Sequence, residues 1–181
     1  MEATSFSAGW LLGAFFEAEG AHGASAVLEA CVRRLQQQGV RVGGLLQRSG
    51  RYANGQKRLE LEDVASGQAL EISQNLGGAS DGCCIDPQAL AQASAMLRQT
   101  LEGGQVELLC INRYGWSEAE GEGFAAEFAL AAQAGVPVIT TVGAKQRAAW
   151  TEFAGELAQA LPLDAQAAAQ LCLRRIGKDT R

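Results

Sequence analysis

Short apolar runs alternate along the chain with longer segments whose apolar residues recur every three or four positions. Bounded apolar runs are typical of buried strands, and the longer spacing is typical of the buried face of a helix. The runs predict strands over residues 9–16, 40–46, 106–111 and 136–142. The periodic segments predict helices over residues 27–38, 90–102, 124–134, 145–160 and 164–176.

The alternation of strands and helices predicts an α/β fold, a mainly parallel sheet flanked by helices. Between residues 48 and 74 the period changes to two, and Leu59, Leu61 and Leu70 alternate with polar residues around Ser66-Gly67. A period of two is typical of strands with one solvent-facing side. We therefore expect an antiparallel hairpin insertion over residues 48–74.

Composition and charge exclude some classes of protein, namely disordered chains and nucleic-acid-binding proteins. Apolar residues make up 48% of the chain and charged residues 19%, which supports a packed core and excludes a disordered chain. No repeat or linker is visible, so we expect a single domain over residues 1–181. The 15 basic and 20 acidic residues give a net charge of −5, and the basic ones are scattered. Nucleic-acid binding needs a concentrated basic face, so we expect no nucleic-acid partner.

The amino-terminal residues lack the features of a targeting signal. The first eight contain Glu2 and no lysine or arginine, whereas a secretory signal begins with basic residues. The apolar stretch from Trp10 to Phe16 is too short to span a bilayer. We therefore expect a cytoplasmic protein without membrane association.

Five cysteines are present, and none has the Cys-x-x-Cys spacing of zinc ribbons or thioredoxin motifs. Cys31, Cys110 and Cys172 lie in apolar segments, which predicts core positions. Cys83 precedes the helix start that Asp86-Pro87 signals, where the helix dipole favours a thiolate. It is therefore a candidate reactive thiol or soft-metal ligand, and the alternative is a buried cysteine packing as a small hydrophobe.

Ligands of open α/β sheets bind beyond the carboxyl ends of the strands. Two loops have that position, residues 17–25 after the first predicted strand and residues 112–121 after the third. The first loop precedes a helix, whose free N–H groups and dipole favour an anion. We therefore expect the functional site at this edge of the sheet.

Several motifs resemble a known superfamily. The strand, glycine-containing loop and helix before residues 39–46 resemble the small P-loop nucleoside-triphosphatases of the thermophile type, as do residues 57–67 and 111–118. A closer resemblance is to an uncharacterised domain-of-unknown-function family, a branch of this superfamily often encoded beside molybdate-transport genes. It covers roughly residues 9–155 and rests on Gly82-Cys83-x-x-Asp86-Pro87, Asn112-x-x-Gly115-x-x-Glu118-Ala119-x-Gly121 and Ala134-Gly135-Val136-Pro137-Val138.

The chain differs from the superfamily at the residues that bind phosphate and Mg²⁺ and orient the attacking water. A working phosphate loop, GxxxxGK[ST], places its lysine on the β- and γ-phosphates and its hydroxyl on Mg²⁺. Aligned with that motif, Gly23-Ala24-Ser25 keeps the hydroxyl and has alanine for the lysine. Asn112 replaces the acid that anchors Mg²⁺, and Arg113 replaces the glutamate that orients the attacking water. The resemblance therefore implies degenerate Walker motifs and impaired hydrolysis. It favours a protein that binds its ligand without hydrolysing it efficiently.

The resemblance also implies a small anionic ligand, either a nucleotide with Mg²⁺ or molybdate, a tetrahedral dianion shaped like phosphate. The first loop has two alternatives, a plain strand–helix turn or a cation site of Glu17 and Glu19, because carboxylates suit hard metals. The single histidine, His22, either donates to the anion when protonated or is a solvated turn residue. The candidate ligand-binding residues are Gly20, Ala21, His22, Gly23, Ala24, Ser25, Asn112, Arg113 and Gly115.

The second loop has a functional and a structural interpretation. In the functional one, Asn112 and Arg113 face the ligand and Glu118 is the candidate catalytic carboxylate. In the structural one, Ser117 and Glu120 form a capping box, since they have its spacing. Trp116 in the same loop is a candidate for stacking on a base or on a partner protein.

Two other functions stay open. One is a slow nucleoside-triphosphatase with relocated groups, in which Arg113 or Lys145 replaces the lysine. In that case Glu17, Glu19 or Glu118 holds the metal. The other is a regulatory or partner-binding subunit with a vestigial pocket.

Two surface features allow further contacts. The apolar residues within 171–176 indicate a possible homodimer contact. The basic residues around the predicted hairpin are either a clamp over a phosphate or a solvated face. These residues are Arg48, Arg51, Lys57 and Arg58.

Overall fold

A computed structural model describes residues 9–21, 23–75 and 85–179. Within these ranges the strands are β1 (Leu12–Phe16), β2 (Val42–Arg51), β3 (Lys57–Asp63), β4 (Ala69–Glu71), β5 (Leu108–Ile111), β6 (Val138–Val142) and β7 (Ala158–Ala160). The α-helices in the same ranges are α1 (Ala24–Gln37), α2 (Pro87–Glu102), α3 (Trp116–Ala119), α4 (Ala125–Gln133), α5 (Arg147–Ala154) and α6 (Ala165–Arg175).

The strands form one sheet in the order β4-β3-β2-β5-β6-β1-β7. Strands β2, β5, β6, β1 and β7 are parallel, while β3 and β4 continue the sheet in antiparallel fashion at one edge. This confirms the predicted α/β class and the hairpin. Strand β2 runs on to Arg51 and pairs with β3 along its length, so the insertion is a three-stranded meander rather than a separate hairpin.

Helices cover both faces of the sheet. Helices α1 and α6 pack on one face, with Leu28 and Cys172 in their core cluster. Helices α2, α4 and α5 pack on the other face, with Leu97, Phe128 and Trp150 among the buried residues. None of the described helices combines the length and apolar character needed to cross a bilayer.

The cysteine predictions that the structure tests are confirmed. Cys31, Cys110 and Cys172 are fully buried. Burial raises the pKa of the Cys110 thiol, as expected for a group held in its neutral form in the core. Cys83 lies outside the described residues, so its role as a candidate thiol stays a prediction.

The apolar side chains of residues 171–176, the predicted homodimer contact, pack against the core, with Ile176 only partly buried. Leu171 and Leu173 are buried against the rest of the chain, at 6% and 5% exposed. Arg175, the last residue of α6, donates a hydrogen bond to the Trp10 carbonyl just before β1. The apolar side chains of this segment therefore serve the core, and a homodimer stays a prediction without them.

The helix predicted over residues 145–160 is wrong at its carboxyl end. Helix α5 stops at Ala154 because Gly155 adopts a positive φ of 50°. Residues 158–160 then form β7, which pairs with β1 so that Ala158 lies opposite Leu12. Tertiary pairing at the sheet edge therefore overrides the helical pattern there.

The capping signals at two other helices are confirmed. Asp86 accepts a hydrogen bond from the Gln88 N–H at 2.9 Å, directly before Pro87 in the first position of α2. Asp164 accepts one from the Ala167 N–H at 2.7 Å at the start of α6. These side chains satisfy N–H groups that would otherwise lack partners at the helix ends.

Glu29 on α1 connects this helix to the meander. It accepts hydrogen bonds from Arg48 on β2 at 3.0 Å and from Arg33 at 2.6 Å. The two arginines, Arg48 more strongly, lower the pKa of Glu29 from 4.5 to about 2. Because the folded-state pKa is depressed, the pair stabilises the fold fully above about pH 4.5 and loses its effect as the pH falls through about 2.

We expect Glu29→Gln to lower the free energy of unfolding by about 1 kcal/mol at neutral pH, the range for part-exposed ion pairs. The difference from wild type should shrink towards zero as the pH approaches about 2. Urea unfolding followed by circular dichroism across this range measures it. A difference that stays constant with pH would contradict the assignment.

Candidate functional site

The two predicted loops lie at the same edge of the sheet. Strands β1 and β5 are both parallel to β6, which separates them, so their carboxyl ends point the same way. Residues 17–25 follow β1 and residues 112–121 follow β5. The two loops therefore lie together at the carboxyl ends of the strands, and a functional site at this edge stays a prediction.

The first loop holds an anionic group of its own at the start of α1. The Gly23 N–H donates to Glu17 Oε1 at 2.5 Å, and the Ala24 N–H donates to Glu17 Oε2 at 3.1 Å. Gly23 is the N-cap residue of α1, so these N–H groups belong to the positive end of the helix dipole. The carboxylate of Glu17 thus lies where the resemblance implies a phosphate.

The other loop residues differ in exposure. Ala24 is 1% exposed, while Ser25 and Glu19 are exposed on the surface. Gly20 adopts a positive φ of 75°, which allows the tight turn before the helix. The Ala21 N–H donates to the Ala18 carbonyl in that turn, and His22 lies outside the described residues.

A cation site of Glu17 and Glu19 stays a prediction. Both oxygens of Glu17 already accept N–H groups. Among the described residues there is no group of three or more His, Cys, Asp or Glu side chains placed to hold a metal ion. A metal at this loop would have to compete with the helix for the carboxylate of Glu17.

At the end of β5, Asn112 is fixed between strands. It is 3% exposed, and its Oδ1 accepts a hydrogen bond from the Thr141 hydroxyl on β6 at 2.7 Å. The Asn112 N–H donates to the Leu45 carbonyl on β2 at 3.0 Å, and the Asn112–Arg113 peptide bond is cis. The side chain of Asn112 is therefore a neutral, positioned amide. The sequence signal for its partner is the pair Thr140-Thr141, two hydroxyl residues within the predicted apolar strand.

Tyr114 anchors the start of the second loop. Its N–H donates to the Thr140 hydroxyl at 3.1 Å. Its ring packs edge-on against Trp150 at 5.0 Å and Phe128 at 5.9 Å between centroids. Burial is the main cause that raises the pKa of the Tyr114 hydroxyl. With Tyr114 held in the core, its neighbour Arg113 is directed outwards and is exposed.

Glu118 ties the second loop together. It is 8% exposed, and its carboxylate accepts N–H groups from Gly115 at 2.9 Å and Phe124 at 3.0 Å. Gly115 is the N-cap of α3 and Glu118 its third helical residue, so the carboxylate of Glu118 reaches back to the N-cap N–H as in one half of a capping box. The predicted box of Ser117 and Glu120 is therefore wrong, because α3 begins two residues earlier than that spacing requires.

A cleft of about 460 Å³ opens beside Asn112, between the meander and the second loop. Its walls include the buried apolar side chains Leu59 and Leu61 of β3 and Phe124 before α4. Asn112, Arg113, Gly115 and Glu118 contribute to its lining, and none of the described residues of the first loop does. The predicted ligand-binding residues thus fall into two groups.

The basic residues of the meander do not form a clamp. Arg48 pairs with Glu29 and Glu62, and Arg58 pairs with Glu60 and Glu71. Arg51 donates to the Gly55 carbonyl at 2.8 Å. These arginines stabilise the meander, and Lys57 is the member of the set that lines the cleft.

One cation at this edge was missed by sequence reasoning. The guanidinium of Arg147, at the start of α5, lies 4.4 Å from the ring centroid of Phe16. Phe16 directly precedes Glu17, so the charge of Arg147 is placed at the end of β1. Lys145, the cation considered from sequence, is exposed in the 3₁₀ turn over Ala144–Gln146 that follows β6. No motif distinguishes the two in sequence.

Comparison with solved structures finds this architecture in a human protein. The solution structure of a human cancer-related nucleoside triphosphatase is similar with a TM-score of 0.55, covering 74% of this chain and 75% of that chain. The sequences are 16% identical, so the likeness shows the fold alone. It confirms the predicted P-loop nucleoside-triphosphatase-like architecture.

Comparison with curated proteins gives a relative from Bradyrhizobium diazoefficiens, the molybdenum import ATP-binding protein ModC 2. It is 34% identical over 129 residues, which is 71% of this chain. The chain spans only 14% of the length of this relative. The likeness therefore concerns one part of that protein.

The family comparison covers most of the chain. The model of the DUF2478 family, described as a protein of unknown function, matches residues 14–170. The matched range contains both loops at the carboxyl edge and the whole meander, and it confirms the resemblance that the motifs indicate. The chain belongs to the DUF2478 family.

Proposed function

We propose that this protein is a cytoplasmic, P-loop-type binding protein for a nucleotide or a small oxyanion, with impaired hydrolysis. The observation that carries the proposal is the carboxylate of Glu17 held by the Gly23 and Ala24 N–H groups. An anion is therefore bound, within the chain itself, at the helix start that follows the first strand. The names of the nucleoside triphosphatase and the ATP-binding relative support a nucleotide as the external ligand.

Impaired hydrolysis follows from the residues at the two loops. Phosphoryl transfer depends on positioned positive charge and a metal that stabilise the developing anion. The side chain of Ala24 supplies no charge, and the amide of Asn112 is neutral and bonded to Thr141. Ser25 alone keeps a donor of the type that holds Mg²⁺ in a working phosphate loop. These donors do not make the Mg²⁺ site of such a loop.

Molybdate is the oxyanion that the family association favours. The relative is named for molybdenum import, and the N–H groups at the start of α1 suit any tetrahedral dianion. The slow nucleoside-triphosphatase is the second candidate, and Arg147 favours it, since this cation lies beside the residue that precedes the loop. The third candidate is a regulatory subunit with a vestigial pocket, and it is the function that we infer if no anion binds.

We expect Glu17→Gln to bind anions about tenfold more tightly than wild type, because it removes the negative charge that competes for the helix start. Isothermal titration calorimetry with ATP, GTP and molybdate, each with and without Mg²⁺, measures the affinity, and a phosphate-release assay measures turnover. Glu19→Gln is the matched control, since Glu19 is exposed in the same loop and should change affinity little.

Each outcome separates the candidates. Tighter binding by Glu17→Gln without turnover supports the proposal and names the ligand. Robust release of phosphate from ATP overturns impaired hydrolysis and supports the slow enzyme. Absence of binding by both wild type and Glu17→Gln overturns the proposal and leaves the regulatory subunit.

A further inference from the structure

We infer that the cleft between the meander and the second loop is a separate binding site for a flat aromatic organic anion, an apolar ring carrying one negative group. The inference concerns the cleft beside Asn112 and does not depend on anion binding at the start of α1, because none of the first-loop residues that the structure describes lines this cleft. Its volume of about 460 Å³ lies within the range of small-molecule sites.

The walls of the cleft indicate an apolar body for the ligand. Leu59, Leu61, Ile72 and Phe124 contribute side chains that are 7%, 1%, 3% and 5% exposed. Leu59 and Leu61 lie on β3, Ile72 directly follows β4, and Phe124 directly precedes α4. Such walls favour burying a ring rather than a hydrated ion, because removing apolar surface from water is favourable.

The charges at the cleft indicate a negative group on that ring. Arg113 and Lys57 both line it. The guanidinium of Arg113 has no ion-pair partner within the described part of the chain, unlike Arg48 and Arg58. Glu118 also lines the cleft, but both of its oxygens accept backbone N–H groups. A carboxylate or phosphate is the natural partner of an exposed, unpaired guanidinium.

Trp116 indicates that the apolar body is flat. It lines the cleft and is 68% exposed, although Trp10 and Trp150 are 2% and 1% exposed. An indole held at the mouth of an apolar cleft offers a face on which a ring stacks. The neighbouring Arg113 then lies within the same loop to meet a charge at the edge of the stacked ring.

The experiment titrates the full chain with probes that separate ring from charge. Adenosine 5′-monophosphate and naphthalene-2-carboxylate carry both, adenosine carries the ring alone, and inorganic phosphate carries the charge alone. Quenching of tryptophan fluorescence reports stacking, since Trp116 is the exposed tryptophan. We expect at least one ring-plus-charge probe to bind, and adenosine and phosphate to bind at least tenfold more weakly. The probe that binds tells whether the charge is a phosphate or a carboxylate.

Variants place the binding in the cleft. Arg113→Gln should weaken the charged probe about tenfold, whereas Arg34→Gln, an exposed arginine on α1, should not. Trp116→Phe should abolish quenching while calorimetric affinity stays within a few-fold, because a ring remains. Binding of no probe, or binding insensitive to Arg113→Gln, overturns the inference.

Discussion

Gly44→Ala is expected to abolish stable folding. Gly44 lies on β2 opposite Cys110 of β5 and adopts a positive φ of 108°. A Cβ at this position would lie 1.9 Å from the Cys110 carbonyl oxygen and 2.8 Å from its carbonyl carbon. The obstacle is backbone of a central parallel pair, which no side-chain rotation relieves. Strain and clash together should cost more than about 4 kcal/mol, a large part of the stability of an ordinary domain.

Soluble yield and urea unfolding followed by circular dichroism measure this effect. Gly50→Ala is the matched control on the same strand, since Gly50 has no positive φ and its Cβ would meet no atom within 4 Å. We expect this control to change the free energy of unfolding by less than about 0.5 kcal/mol. A Gly44→Ala protein with near wild-type stability would mean that β2 and β5 are not paired in this register.

The pairing of β2 with β5 matters for function because it places the meander against the second loop. Leu45 on β2 accepts the Asn112 N–H, and the same strand carries Gln47 into the cleft. Loss of this pair would therefore separate the two walls of the cleft. The cleft is a product of strand order and not of any contiguous motif.

Local patterns predicted most of the elements because burial and helix caps leave local signals. Apolar runs gave β1, β5 and β6, and Asp86 and Asp164 marked the starts of α2 and α6. Where tertiary contacts decide, the pattern misleads. Residues 158–160 have helical composition, yet they pair with β1 at the sheet edge.

The sequence predicted where the two loops of the candidate site lie, but not the hydrogen bonds within the first loop. The strand-end rule located both loops, and the negative charge of Glu17 near the helix start was evident from sequence. That its carboxylate accepts the Gly23 and Ala24 N–H groups depends on the path of the loop, which sequence does not encode locally. The apolar walls of the cleft come from residues separated by tens of positions, so Leu61 and Phe124 gave no joint signal.

Glu118→Ala is expected to destabilise the fold by about 2–4 kcal/mol, because it leaves the buried N–H groups of Gly115 and Phe124 without their acceptor. Glu118→Gln should cost less, since its amide oxygen still accepts one N–H while its NH₂ faces the other. Urea unfolding measures both variants. Glu120→Ala is the control, because Glu120 is exposed and the sequence alone assigned the cap to it.

The two variants also separate the roles considered for Glu118. A positioning role predicts that stability falls from wild type to Gln to Ala and that binding to the cleft weakens in the same order, since Gly115 and Phe124 line it. A catalytic role predicts that Glu118→Gln loses turnover while keeping its stability. Greater destabilisation by Glu120→Ala than by Glu118→Ala would instead support the cap predicted from sequence. The bonds to Gly115 and Phe124 favour the first result, because both oxygens of the Glu118 carboxylate hold backbone N–H groups of the loop.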